Sequence, residues 1–453
     1  MIIRSEIMKR TGRSEVISLN KIQEAIVQTH LIFSDGASLY LRENQRLFWK
    51  LKPATANIVL REKLFAADAQ SEISRANMEK VLENLLVDTR IIFDLENINP
   101  PRYINFKNGV YDLIERTFFT NDTEVEEAIK NLFFSYEIDA NYISQEHPIK
   151  QMPKFLSFVQ KTFNCNFGDN TFSYLLANLG YLLSSVNSLR KAIIFMGAPA
   201  SGKSTLADFI GAVVLPKSEV SHISFHDLGH RFRLYEAGIA KLNISNEINK
   251  ATIRNLANFK SLTAGEEIVI ERKGKDPVVV KPNVRQLYCT NYLPNFDDGN
   301  AAAVFDRLNL VIFRKTINEK ERNPTLLQDF LAERDGILSR AVENFAVVLE
   351  NKIFEVPKSM ANLKNEFIIE ENSVEIFIRE NLIENTTSTG LSTMNVFEKY
   401  QNFCAANGFA EKSKKDLRTG IMTTFPAVTI TRKRLTKNLN VRVYLGVDFK
   451  EDE

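Results

Sequence analysis

The chain has 453 residues, of which 44% are hydrophobic and 25% are charged, and its formal net charge is +2. These proportions are typical of a globular protein and exclude an intrinsically disordered chain, and the length predicts about two to four domains. The three cysteines lie far apart without a C-x-x-C pair, which excludes a zinc ribbon and a disulfide framework. The sequence shows no signal peptide and no apolar stretch of membrane-spanning length, so we expect a cytoplasmic protein without a membrane partner.

Residues 1–150 predict an α+β region. Residues 14–29 read as a short strand and an amphipathic helix, and residues 37–51 as two strands joined by a polar turn. Residues 105–113 read as two strands around the Asn108-Gly109 turn. None of these patterns indicates a reaction.

Residues 151–190 predict two or three helices, because apolar side chains recur at helical spacing. Their place ahead of the next domain suits an oligomerisation collar. A helical cap that completes the core is an equal alternative.

Residues 191–350 contain the strongest motif, which fits G-x-x-x-x-G-K-[ST] and follows an apolar run typical of a buried strand. Glycines let successive N–H groups face one phosphate, the lysine reaches the β- and γ-phosphates, and the serine hydroxyl binds Mg²⁺. We therefore predict a nucleoside triphosphate site with ATP and Mg²⁺, the alternative being a glycine turn with a solvated lysine. The site comprises Gly197, Ala198, Pro199, Ala200, Ser201, Gly202, Lys203, Ser204 and Thr205.

Residues 240–247 predict a second strand that ends in Asn246-Glu247. An acid at such a strand end polarises the attacking water or helps to place the metal ligands, so Glu247 is the predicted catalytic base and, with Ser204, the predicted metal site. Three histidines precede this strand, but without a cysteine or an acidic cluster we do not expect them to bind zinc.

The next residues predict a hairpin, a polar strand end and an arginine. Two strands flank a basic tip that contains Arg272, Lys273 and Lys275, for which a solvated turn is the alternative. A later strand ends in Asn291, which can bind the attacking water or the γ-phosphate. Arg307 precedes another strand and can act as a finger in a neighbouring site, with an ion pair to Asp306 or Asp297 as the alternative.

Residues 360–453 predict three helices followed by a basic hairpin, the pattern of a winged helix. Between residues 411 and 442 there are nine basic residues and two acids. Two converging basic elements predict DNA contact rather than a merely solvated face. The predicted DNA-binding residues here are Lys412, Lys414, Lys415, Arg418, Arg432, Lys433, Arg434 and Lys437.

Five motifs in order resemble superfamily 3 helicases, of the type found in phage, plasmid and poxvirus primase–helicases. They lie at residues 197–205, 244–247, 262–266 with the basic hairpin, 288–294 and 303–308. Residues 108–112 resemble the region that precedes the helicase there, so the resemblance covers roughly residues 35–350.

The resemblance implies an AAA+-like P-loop ATPase core and a ring, usually a homohexamer, with ATP between subunits. Lys203, Ser204 and Glu247 match one side of each site, Asn291 the sensor asparagine, and Arg307 the finger donated by the neighbour. Lys273 and Lys275 match the hairpin that grips single-stranded DNA, and the family translocates 3′ to 5′. Asn246 departs from the usual acid. The first hundred residues show no cysteine-rich element and no acidic triad, so the chain resembles the helicase part alone, with a separate primase or another replication protein as a candidate partner.

The sequence therefore predicts an ATP-driven ring helicase that unwinds forked DNA during replication of a mobile element. The alternative is a DNA-binding initiator or loader that uses ATP as an assembly switch and does not unwind processively.

Overall fold

The structure is a computed structural model that describes the chain except residues 12–13, 37, 44–46, 52–53, 93–97, 121–131, 145–147, 247–255, 275, 292–303, 319–321, 359, 363–372, 388, 408–410, 437–438 and 451–453. It divides into two compact units, Met1–Pro357 and Lys358–Glu453. Within the described residues, none of the helices combines the length and apolar character that crossing a bilayer requires.

The first unit begins with helices and short strands that share one apolar core. These elements are α1 (Arg4–Ile7), β1 (Met8–Thr11), β2 (Ser14–Ile17), α2 (Leu19–Gln28), β3 (Ile32–Ser34), β4 (Leu39–Arg42), β5 (Phe48–Lys50), α3 (Ala56–Leu64), α4 (Ala67–Glu72) and α5 (Arg75–Leu86). Helix α2 forms because Ser18 caps its N-terminus and because Ile22, Ala25 and Ile26 bury one face. Strands β3, β4 and β5 pair antiparallel, so the predicted strand pair is confirmed.

A five-stranded sheet follows, with the order β11-β9-β6-β7-β8. Its strands are β6 (Tyr103–Phe106), β7 (Gly109–Asp112), β8 (Thr117–Thr120), β9 (Glu137–Ile138) and β11 (Val214–Leu215). The turn at Asn108-Gly109 joins β6 to β7, as predicted. A Cβ atom at Gly109 would lie 2.1 Å from the backbone oxygen of Phe119, so this close strand pairing requires glycine.

A short helix, α6 (Pro148–Gln151), comes first. The predicted helices of residues 151–190 are present as α7 (Pro153–Phe163) and α8 (Asn170–Leu183), and both are mostly buried. Helix α8 packs against the later helix α13 (Arg334–Asn351) at a distance that only glycine permits, because a Cβ atom at Gly180 would lie 2.2 Å from the backbone oxygen of Ala341. These contacts complete the core, and whether the helices also form a collar stays a prediction.

A second five-stranded sheet contains the strand that leads into the phosphate-loop motif, and its strand order is β12-β13-β16-β10-β17. Its strands are β10 (Ala192–Gly197), β12 (Val220–Ser221), β13 (Leu242–Ser245), β16 (Arg285–Thr290) and β17 (Leu308–Phe313), and all neighbouring pairs are parallel. The helices that connect or follow them are α9 (Lys203–Val213), α10 (Leu234–Ile239), α11 (Ala257–Ala264) and α12 (Leu326–Ala332). Strands β10 and β17 are largely apolar and fully or almost fully buried, because both faces of a parallel sheet are covered. The fold is therefore mixed α/β with a parallel sheet.

Between α11 and β16 the chain forms a separate antiparallel hairpin, which belongs to the first unit. Its strands are β14 (Ile268–Ile270) and β15 (Val278–Val280). The hairpin agrees with the prediction from residues 267–280.

The second unit contains three described helices and two small antiparallel sheets, of order β18-β22 and β19-β21-β20. The elements are α14 (Ser373–Asn381), β18 (Leu382–Glu384), β19 (Leu391–Ser392), α15 (Thr393–Asn407), α16 (Lys414–Thr424), β20 (Thr429–Thr436), β21 (Leu439–Leu445) and β22 (Val447–Phe449). Phe377, Tyr400, Leu417 and Ile421 belong to its core. The predicted order of three helices and a hairpin is present.

Candidate nucleotide and nucleic-acid site

The loop between β10 and α9 requires its two motif glycines. Gly202 has φ +91°, and a Cβ atom there would lie 2.6 Å from the ring of Phe158. At Gly197, a Cβ atom would lie 2.2 Å from the backbone oxygen of Phe313 on the neighbouring strand β17. Glycine at both positions therefore lets the loop curl between β17 and α7, with the N-terminus of α9 at its end.

Lys203 is folded back onto this loop. Its Nζ donates to the backbone oxygens of Gly197 at 2.6 Å and Ala198 at 2.7 Å, and it lies 3.2 Å from Ser201 Oγ. The residue is only 7% exposed, and burial lowers the pKa of its ammonium group. A phosphate that enters the loop would replace these carbonyl oxygens as the acceptor of the ammonium hydrogen bonds.

The parallel register brings two polar positions to one edge of the sheet. Met196 pairs with Thr290, and Ser245 pairs with Tyr288, so β10, β13 and β16 all end there. Asn291 and Asn246 directly follow these strand ends, and both are exposed. The carboxyl ends of parallel strands are where open α/β sheets bind ligands. Glu247, the predicted catalytic base, lies outside the described residues.

Asp208 is a carboxylate at this edge that the sequence interpretation missed. It lies on α9 one helical turn beyond Ser204, so the two side chains share a face of the helix. Asn246 Nδ2 donates to Asp208 Oδ1 at 3.4 Å. The four-residue spacing from Ser204 was visible in the sequence, but the contact with Asn246 joins a helix to a strand end and has no local signal.

Oxygen donors at this edge suit Mg²⁺. Ser204 offers a hydroxyl and Asp208 a carboxylate, and both side chains are exposed toward solvent. Mg²⁺ prefers such oxygen ligands and keeps several of its waters. Over the described ranges, no group of three or more histidine, cysteine, aspartate or glutamate side chains could hold a metal ion.

Arg307 lies at the opposite edge of the same sheet. Its backbone oxygen accepts from the N–H of Ala192, and Leu308 pairs with Ala192, so Arg307 is beside the start of β10 whereas Gly197 is at its end. The two positions are roughly 16 Å apart along the strand. The guanidinium donates through Nη1 to Lys260 O at 2.9 Å and Thr263 Oγ1 at 3.0 Å, rather than to the Asp306 carboxylate considered from the sequence.

A cavity of about 700 Å³ lies on the α7 side of the loop. Phe158, whose ring faces Gly202, forms part of its wall, and Ile317, which also lines it, donates its N–H to Ala200 O at 3.0 Å. Asp329 closes one side, and the Lys154 ammonium and the Asn323 amide hold the pKa of that carboxyl below its usual value. The lining residues come from α7, from α12 and from Lys315, Ile317 and Asn323 between them, so no local pattern in the sequence indicates the cavity.

The hairpin presents a basic tip beside an exposed aromatic side chain. Arg272 lies over the ring of Tyr235 with 5.2 Å to its centroid, and Lys273 is exposed, whereas Lys275 lies outside the described residues. Arg231 forms an ion pair with Glu271 at the base of this tip. Phe232, the residue after Arg231, is 51% exposed. Phe232 was not among the predicted site residues, although its Arg-Phe-Arg setting could have indicated it.

The second unit carries the remaining predicted basic residues on a helix and a hairpin. Ser413 caps α16 through Asp416, whose N–H donates to Ser413 Oγ at 3.2 Å. Tyr400 OH accepts from the N–H of Lys412 at 2.9 Å, and the ammonium of Lys414 lies over the ring of Phe397. The exposed basic side chains are Lys414, Lys415, Arg418, Arg432, Lys433 and Arg434, and Lys437 lies outside the described residues.

Two family models match parts of the chain. Residues 19–164 match the model described as D5 N terminal like, and residues 195–307 match a family of unknown function, DUF5906. A curated relative, "Putative helicase L207/L206" of Acanthamoeba polyphaga mimivirus, is 22% identical over 377 residues. These findings support a D5-like family. The matched part is 76% of this chain but only 37% of that relative's length.

Solved structures of the NrS-1 C terminal region are also similar. Two structures of its A form without ligand have TM-scores of 0.42 and 0.41, both at 14% identity, and each comparison covers 94% of this chain and 98% of that chain.

Proposed function

We propose that the chain is an ATP-dependent DNA helicase of superfamily 3 that forms a ring and translocates 3′ to 5′ on single-stranded DNA, in the replication of a mobile element. The observation that carries the proposal is the glycine-constrained loop with Lys203 folded onto it, beside the strand ends that present Asn246 and Asn291. The helicase-named relative and the D5 N terminal like match support the same class of function.

ATP binds with its phosphates against the loop at residues 197–205. Lys203 exchanges its carbonyl partners for phosphate oxygens, and Ser204 and Glu247 would hold Mg²⁺. When bound, Mg²⁺ neutralises charge on the β- and γ-phosphates. Glu247 takes the proton of the attacking water, and Asn291 orients that water or the γ-phosphate.

The cavity beside the loop takes the base and ribose of ATP. It lies next to Gly202 and Ala200, and it offers apolar side chains, Phe158, Ile317 and Leu326, together with polar ones such as Asn323. This mixture is typical of small-molecule sites.

Ile317→Ala is expected to raise the KM for ATP roughly ten-fold, since loss of about 1.4 kcal/mol of apolar contact equals a factor of ten. Inhibition by inorganic triphosphate, which has no base, should not change. The matched control is Ile353→Ala, because Ile353 is 62% exposed and does not line the cavity. An unchanged KM for ATP in the Ile317 variant would contradict this placement of the base.

Arg307 serves the site of a neighbouring subunit. It lies at the amino edge of the sheet, roughly 16 Å along β10 from the loop of its own chain. A side chain of about 7 Å cannot span that distance, so an arginine finger at this position acts in trans. This geometry supports a ring in which each ATP lies between subunits, with the homohexamer as the expected form.

Single-stranded DNA lies along the hairpin, in contact with Arg272, Lys273 and Lys275. Phe232 adds a stacking surface beside these charges, because an exposed aromatic ring flanked by arginines binds bases without reading sequence. Movement of the hairpin with each hydrolysis step pulls the strand through the ring.

Phe232→Ala is expected to weaken single-stranded DNA binding about five-fold or more, since stacking contributes about 1–3 kcal/mol per base. Phe232→Trp should retain the affinity. Lys273→Ala should also weaken binding. In a plot of the logarithm of the binding constant against the logarithm of the salt concentration, this variant should have a slope smaller in magnitude by about 0.7. Titration of labelled oligonucleotides measures both, with a polyanion lacking bases as the discriminating ligand. Equal loss of polyanion binding in the Phe232 variant would contradict a stacking role.

The second unit is a winged-helix domain that binds duplex DNA. Helix α16 carries Lys414, Lys415 and Arg418 into a groove, and the hairpin of β20 and β21 places Arg432, Lys433 and Arg434 on phosphates. The order of three helices and a hairpin, with β19 pairing to β21, supports this interpretation.

The exposed basic helix and hairpin also favour the second candidate, an ATP-switched initiator or loader that does not unwind processively. Unwinding of a forked substrate separates the two candidates. ATP binding without strand separation would favour the initiator.

A further inference from the structure

Position 246 carries an amide where the motif usually carries an acid, and a carboxylate from another element contacts that amide. Asn246 Nδ2 donates to Asp208 Oδ1 at 3.4 Å. Asp208 belongs to α9 and Asn246 follows β13, so the contact closes the gap between the helix of the phosphate loop and the strand end.

We propose that Asp208 supplies the carboxylate that position 246 lacks, and that Asn246 holds it toward the Mg²⁺ of the bound nucleotide. This inference rests on the proposed nucleotide-binding function and makes Asp208 and Asn246 positioning residues. The usual arrangement is thereby divided between two side chains, one that carries the charge and one that orients it.

The location of Asp208 relative to the loop supports this role. Asp208 lies one turn beyond Ser204 on the same face of α9, and both side chains are exposed at the edge where the strands end. Asp208 also follows Lys203 by five residues on the same helix, and it contacts Asn246 next to the end of β13.

The chemistry of the pair suits a metal-bound water better than the metal itself. The Ser204 hydroxyl would be the direct metal ligand. The Asp208 carboxylate, one helical turn away, would add negative charge and two oxygens that accept hydrogen bonds from metal-bound water. An amide that donates to that carboxylate fixes its orientation, as partners of metal ligands generally do, and loss of such partners typically costs 10–100-fold in metal affinity.

The test is the Mg²⁺ dependence of ADP binding, measured by calorimetry, with Mn²⁺ binding by electron paramagnetic resonance as a second readout. Asp208→Asn is expected to raise the Mg²⁺ concentration for half-maximal ADP binding roughly ten-fold, with no change in ADP affinity in EDTA. The exchange variant, Asp208→Asn with Asn246→Asp, should restore the wild-type requirement, because it returns the carboxylate to position 246.

Several outcomes would overturn the proposal. An unchanged Mg²⁺ requirement in Asp208→Asn would do so, as would an exchange variant no better than the single substitution. If Asp208→Asn does not fold, Asp208→Ser and Asn246→Ala take its place, and each must raise the requirement. Wild-type protein that binds no nucleotide at any Mg²⁺ concentration would instead contradict the proposed function itself.

Discussion

Lys203→Ala is expected to abolish ATP hydrolysis, with a loss of at least 100-fold and of most ATP affinity. Its ammonium group is buried at the loop, where it donates to the backbone oxygens of Gly197 and Ala198. Removing it takes away a preorganised charge in a partly dehydrated site, where one such donor contributes a factor of about 10²–10³. Steady-state hydrolysis and fluorescent ATP binding measure the two effects.

The matched control for this variant is Lys217→Ala. Lys217 caps the other end of the same helix, where its Nζ donates to the backbone oxygen of Gly211 at 3.2 Å. Its replacement also removes one lysine charge, at the C-terminal end of α9, but leaves the phosphate loop intact. Hydrolysis should therefore be within about two-fold of wild type. A Lys203 variant with near-normal hydrolysis would show that the loop is a solvated glycine turn.

Arg307→Ala is expected to reduce hydrolysis by about 10³-fold or more while ATP binding is retained. An arginine finger contributes about 10³–10⁵ in rate because it stabilises charge that develops only in the transition state. The guanidinium also holds Lys260 O and Thr263 Oγ1, so thermal unfolding must be followed in parallel. Arg116→Ala, which removes an exposed guanidinium bound to Glu350, is the control and should hydrolyse ATP normally.

Mixing subunits tests whether Arg307 acts in trans. Lys203→Ala and Arg307→Ala are each inactive alone, but a mixed ring contains interfaces with one intact Lys203 and one intact Arg307. Hydrolysis should therefore reappear on mixing. If the mixture stays inactive although the subunits exchange, Arg307 does not act across an interface.

The sequence predicts the elements around the phosphate loop because each has a strong local signal. The apolar run of residues 192–196, the glycines at 197 and 202 and the apolar spacing after Lys203 predict strand, loop and helix where the structure has them. The same holds for the turn at Gly109 and for the hairpin of β14 and β15, where the alternation of side chains and the turn residues agree.

Contacts between distant segments have no such signal. Asp208 meets Asn246 only once α9 and β13 are packed, and the cavity beside the loop combines residues about 160 positions apart. Glu219 illustrates the same limit, because nothing in its local sequence indicates that burial raises the pKa of its carboxyl to about 7. Arg307 finds its partners on α11 rather than in the neighbouring Asp306. The motifs thus predict strand, loop and helix, whereas contacts between distant segments are not visible in the sequence.

The most direct test of the proposed function is ATP hydrolysis with and without single-stranded DNA, measured together with unwinding of a 3′-tailed fork, for the wild type and Glu247→Gln. The proposed function predicts hydrolysis that DNA stimulates and strand separation that requires ATP, with both lost in the variant. Hydrolysis without strand separation, or an active Glu247→Gln variant, would contradict it.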